Sequence, residues 1–204
     1  RGVEGRPCFG ELCGVASAVD WYDGAWTHRQ KITLSSALTT NDLADFPVLV
    51  KAAGSTHPVF LLAQEDGDDI LFTADDGTTK LAHEIEKYAV AATNELVAWV
   101  KLPSLSASAN TEIYLYYGNA SAANQENVTG VWDSQYAAVY HMTEANAVDS
   151  TGAHTGTAVN NPTLLAAGAV NGALQFGGPT VSNYVDCGNI LNAPALVTVS
   201  LWLR

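Results

Sequence analysis

The chain has 204 residues, of which 48% are hydrophobic and 15% charged; 9 Lys and Arg stand against 21 Asp and Glu, a formal net charge of −12. That length suits one large domain or two ordinary ones, and the charge repels phosphate backbones and anionic lipid, which excludes nucleic acid as an expected partner. No apolar run reaches the roughly 18 residues of a membrane-spanning helix, so no membrane insertion is expected within these residues, and the low charge with abundant small polar residues favours sheets over helices.

Residues 1–19 read as an N-terminal arm. Ala16-Ser17-Ala18 has the small residues of a signal-peptidase site, but Glu4, Pro7, Cys8, Glu11 and Cys13 occupy the place of an apolar stretch. The spacing of Cys8 and Cys13 suits a loop-closing disulfide in an oxidising compartment, and a metal site there lacks a second ligand pair. Cys187, in an apolar strand context, is expected to be a buried free thiol.

Trp21, Tyr22 and Trp26 cluster ahead of the first strand, where flat rings serve either as a glycan platform or as a plug over the end of a sheet stack. Residues 28–36 then alternate, with Gln30, Ile32 and Leu34 on one face and Arg29, Lys31, Thr33 and Ser35 on the other. Short apolar strands are expected at 46–50 and 69–73. The acidic turns Glu65-Asp66-Gly67-Asp68-Asp69 and Asp75-Asp76-Gly77 offer carboxylate oxygens for calcium, with Asp66, Asp68 and Asp69 as candidate ligands; they also fit ordinary Asp-Gly turn chemistry.

Residues 81–87 read as one alternating strand, with Leu81, His83, Ile85 and Lys87 opposite Ala82, Glu84 and Glu86. Glu84 and Glu86 share a face at roughly 6 to 7 Å, a separation of interest for glycoside hydrolysis. They are expected to be surface carboxylates beside Lys80 and Lys87. Residues 95–102 set Leu96, Ala98, Val100 and Leu102 against Val97, Trp99 and Lys101, and 111–117 set Ile113, Leu115 and Tyr117 against Tyr114 and Tyr116. Pro103 and the Ser/Ala-rich stretch to Asn110 read as their connection, and the two strands as a hairpin.

Residues 120–127 form the best helix candidate, a surface turn that marks a domain boundary. Beyond it, strands are expected at 137–142, 173–176, 184–187 and 197–203. The last alternates Val197, Val199, Leu201 and Leu203 with Thr198, Ser200, Trp202 and Arg204, and it predicts an open edge completed by further strands or by another chain.

Several ordered blocks carry a resemblance: Trp21-Tyr22-Asp23-Gly24-Ala25-Trp26, Phe46-Pro47-Val48-Leu49-Val50, Gly67-Asp68-Asp69-Ile70-Leu71-Phe72-Thr73, His83-Glu84-Ile85-Glu86, Trp99-Val100-Lys101-Leu102-Pro103 and Ile113-Tyr114-Leu115-Tyr116-Tyr117-Gly118-Asn119. Residues 20–133 resemble the domain of unknown function numbered 2341, a family without an established activity. Residues 134–204, from Val139-Tyr140-His141-Met142 through Asp149-Ser150-Thr151-Gly152 to Gly172-Ala173-Leu174-Gln175-Phe176-Gly177-Gly178, resemble the first part of a laminin-G-like, concanavalin A-like jelly roll. The resemblance implies an all-β chain with a β-sandwich followed by a partial jelly roll, in exported surface proteins. It also implies a loop at Asp149 that helps to hold structural calcium.

His28, His57, His83, His141 and His154 lack metal-ligand spacing, and nucleophile-elbow and phosphate-loop signatures are missing. His141 is expected to be a hydrogen-bonded, half-buried strand residue. Asn119-Ala120-Ser121 and Asn127-Val128-Thr129 fit the N-glycosylation pattern. The expectation is a non-catalytic binding or adhesion module, secreted, on the cell surface or periplasmic, engaging a glycan or protein surface. The alternatives are a self-assembling subunit of an extracellular filament, phage or surface fibre, and the envelope domain of an ExbB/TolQ-type proton-channel protein.

Overall fold

A computed structural model describes residues 19–91, 93–178, 180–192 and 196–203; Cys8 and Cys13 lie outside them. The described residues are all-β, with a 3-10 turn at Ser36–Leu38 and two short α-helical turns, α1 (Val59–Leu62) and α2 (Val128–Val131). Seven strands build its first part: β1 (His28–Leu34), β2 (Leu43–Ala53), β3 (Leu71–Thr73), β4 (Lys80–Leu81), β5 (His83–Ala89), β6 (Glu95–Leu105) and β7 (Thr111–Tyr117). They form two antiparallel sheets, ordered β1-β7-β3-β4 and β2-β6-β5.

The core fills the space between these sheets. Leu96, Ala98, Val100 and Leu102 of β6 meet Ile113, Leu115 and Tyr117 of β7, as the period-two pattern requires, with Val48 and Val50 of β2 and Phe72 of β3 around them. Val59 and Phe60 of α1 close one side. Each fully buried large side chain contributes on the order of 1.5–3 kcal/mol.

Pairing departs from the expected hairpin, because β6 and β7 lie in opposite sheets. β7 takes β1 and β3 as neighbours, from His28↔Tyr117 to Leu34↔Thr111 on one side and Leu71↔Tyr116 on the other. β6 runs through Pro103 to Leu105. The proline is tolerated because β5 has ended at His83↔Val100, leaving that stretch paired to β2 alone. Residues 81–87 also divide: Leu81 pairs with Phe72 in one sheet, and from His83 onward the chain joins the other.

A bulge in β5 shifts the register between Ile85↔Ala98 and Lys87↔Val97, so Glu86 is the extra residue. Beyond it the alternation inverts: Tyr88 packs on the core, while Lys87 pairs with Glu95 at 2.7 Å.

Residues 120–127 are not helical. The turn begins at Asn127, whose Oδ1 accepts from Gly130 N, and continues as α2. Residues 137–142 contribute only an isolated bridge, Tyr140↔Asp149. Two ribbons follow, β8 (Thr157–Val159) with β11 (Tyr184–Asp186), and β9 (Thr163–Leu165) with β10 (Ala173–Gln175). Residues 197–203 join no ladder among the described residues. Cys187 is free but half-exposed rather than buried.

Candidate functional site

The densest polar cluster lies on the face of the β2-β6-β5 sheet turned away from the core. Glu84 alternates with inward His83 and Ile85, and so projects outward opposite Trp99 of β6. Glu86, the extra residue of the bulge, projects from the same face as Glu84. α2 delivers Trp132, the chain after it brings His141, and the turn at Asp149 brings Ser150.

His141 Nε2 hydrogen-bonds to Glu84 Oε2 at 2.9 Å, and Nδ1 lies 3.2 Å from Glu86 Oε2. Trp132 Nε1 donates to Glu84 Oε2 at 2.5 Å, Ser150 Oγ to Glu84 Oε1 at 2.7 Å, and Trp99 Nε1 to Glu86 Oε2 at 2.8 Å. The His141 ring stacks on Trp99, with centroids 6.0 Å apart and planes at 18°, and meets Trp132 at a tilt. Trp132 also meets Trp99 and Tyr136 edge-on. Glu84 and Glu86 are therefore mostly buried rather than surface carboxylates, with side chains 11% and 2% exposed. Lys80 bonds Gln125 and Lys87 bonds Glu95.

A carboxylate oxygen beside each ring nitrogen favours the doubly protonated, positively charged form of the ring. Burial opposes that charge, but the hydrogen bond and charge of Glu84, with the charge of Glu86, outweigh it and raise the His141 pKa above 6.5. Burial likewise opposes ionisation of Glu84, and the donors His141, Trp132 and Ser150 outweigh it, lowering its pKa below 4.5.

A cleft of about 160 Å³ opens beside the cluster, lined also by Met142, Glu144 and Val148; drug-sized ligands occupy roughly 300–1,000 Å³. Ser150 donates to the Glu84 carboxylate and not to the imidazole. The two glutamates hold a ring between them, where glycoside hydrolysis would need open space for a sugar. The cluster pairs buried polar groups and joins β5 to the segments that carry Trp132, His141 and Ser150.

The aromatic candidates do come together. Trp26 is buried and its Nε1 donates to Asp69 O at 2.6 Å; Tyr22 meets it edge-on at 5.4 Å. Trp21 is 41% exposed, but the Arg29 guanidinium lies 4.7 Å from its ring centroid and its edge meets Tyr116. The group roofs Tyr114 and Tyr116 of β7.

The acidic candidates do not converge. Asp69 is buried and takes Gln64 N, Gly118 N and Asn119 N at 2.6–2.9 Å. Asp66 accepts from Asp68 N within its own turn. Asp149 takes Val139 N, Thr151 N, Thr151 Oγ1 and His154 N at 2.6–3.0 Å, bonds that outweigh its burial and lower its pKa. Asp69 and Asp149 thus turn their oxygens to protein donors, and no group of three or more His, Cys, Asp or Glu among the described residues is placed to hold a metal. Both sequon asparagines serve turns, Asn119 accepting from Ser121 N and Asn127 from Gly130 N.

Sequence reasoning noted the Glu84/Glu86 pair and a bonded His141 but missed Trp132 and Ser150. The only signal was the Glu-x-Glu spacing, since a bulge leaves no mark in the residue pattern.

Residues 66–154 match the family model described as Domain of unknown function (DUF2341). The match covers the later part of the expected 20–133 stretch, Trp132 included, and continues through His141, Asp149 and Ser150. No curated protein and no solved structure matches the chain.

Proposed function

We propose that the chain is a non-catalytic binding module of the cell exterior, in which the sandwich is a rigid support and the C-terminal part carries the recognition surface. The single observation behind this reading is the stretch at 196–203, which joins no ladder and where Leu196, Trp202 and Leu203 are 92%, 81% and 87% exposed. Unpaired backbone with alternating apolar side chains favours a protein partner that adds a strand over a glycan. The resemblance of this half to a laminin-G-like jelly roll fits the same reading, as does the acidic, weakly charged composition.

Binding to arrays of extracellular proteins and glycans tests it. Leu201→Asp and Trp202→Ala should each weaken protein capture at least tenfold on the scale of a hot-spot loss. Glycan capture unaffected by either variant, or polysaccharide hydrolysis abolished by Glu84→Gln, would overturn it. A second reading, self-assembly into a fibre through the same stretch, predicts concentration-dependent polymers that Trp202→Ala abolishes.

A further inference from the structure

The outer face of the β2-β6-β5 sheet is covered by chain from 128 to 151, which reaches it through Trp132, His141 and Ser150. Lys101 bonds Asp133 at 2.6 Å and lies 3.9 Å from Asp45, and Lys87 is taken by Glu95. The cation set against Glu84 and Glu86 is therefore the His141 ring. We propose that Glu84, His141 and Glu86 form a proton-operated clasp, which docks 128–151 on the sheet below and near neutral pH and releases it on the alkaline side.

The groups facing the ring are Glu84 and Glu86 from β5, Trp99 from β6, Trp132 after α2, and Ser150 and Glu144 at the cleft. Deprotonation leaves two carboxylates beside Trp99, whose π face favours a cation. The remaining donors to Glu84 and Glu86, two indoles and a hydroxyl, are neutral. The His141 pKa is raised, so its contribution is complete below 6.5 and is lost as pH rises through the folded value. Glu84 is lowered, so its contribution is present above 4.5 and is lost as pH falls through its folded value. The clasp is closed between these limits.

The test uses the full chain. Imidazole ¹⁵N spectra should show both His141 nitrogens protonated at pH 6.5, with titration at higher pH. Chymotrypsin cleavage after Tyr136 and Tyr140, normalised to an unstructured peptide at each pH, should rise at least fivefold between pH 6 and 9. His141→Gln should show the high cleavage already at pH 6 and no pH step. Should that variant not fold, Glu86→Gln should lower the His141 pKa by about half a unit or more, since one adjacent charge is removed. A His141 ring titrating at or below 6.5, or a wild-type pH step retained in His141→Gln, would sink the proposal.

Discussion

His83 and His141 differ by their surroundings alone. His83 is fully buried, edge-on to Phe72 at 5.3 Å, with no full hydrogen bond to either ring nitrogen. Burial drives its pKa down to about 4, further depressed by Lys80 and only partly offset by the carbonyls of Leu81 and Ile70. A base depressed in this way keeps its contribution above 6.5 and loses it as pH falls toward the folded value. The shift from 6.5 to about 4 corresponds to roughly 3 kcal/mol. Urea unfolding of His83→Leu should therefore lose less stability between pH 7 and 4 than the wild type, by about 2–3 kcal/mol; parallel curves would refute this origin of acid sensitivity. Neither shift can be read from the residue itself. Position 83 could be recognised as inward-facing by alternation, yet that its ring nitrogens would lack partners depends on what Phe72 and Leu81 bring from the other sheet.

At the scale of elements, connections depend on clamps that composition does not announce. Asp69 ties the loop before β3 to the end of β7 by accepting from Gln64, Gly118 and Asn119, and its carbonyl holds Trp26. Asp69→Ala should cost about 3–5 kcal/mol in chemical denaturation, because several N–H groups lose a charged acceptor together. Gly77 sits at φ 77°, and a Cβ there would collide with Asp20 O and Val19. Gly77→Ala should cost about 1–3 kcal/mol through the positive φ, with the first change seen in Trp21 fluorescence as residues 19–20 detach. Alternation divided β6 and β7 into two faces each, but it did not reveal which face meets the core or which strands are their partners. A period of two is satisfied equally by a hairpin and by two strands facing each other across a core, and pairing is chosen by neighbours distant in sequence.

At the scale of the whole molecule, the proposed binding role makes stability and recognition separable. The described part of 196–203 is largely exposed, so removing 196–204 should move the thermal midpoint by no more than about 2 °C while abolishing partner capture. A larger drop would mean that this stretch belongs to the fold. What the sequence determined by itself was the all-β class, most of the strands in the first part, the two faces of β6 and β7, and the grouping of Trp21, Tyr22 and Trp26, because alternation and turn chemistry act over a few residues. The tertiary structure alone decided that Glu84 and Glu86 are buried around His141, that Asp69 and Asp149 spend their oxygens on backbone donors, and that 197–203 joins no ladder. Those outcomes depend on a bulge and on partners up to 66 residues apart, and no local pattern encodes the distance between them.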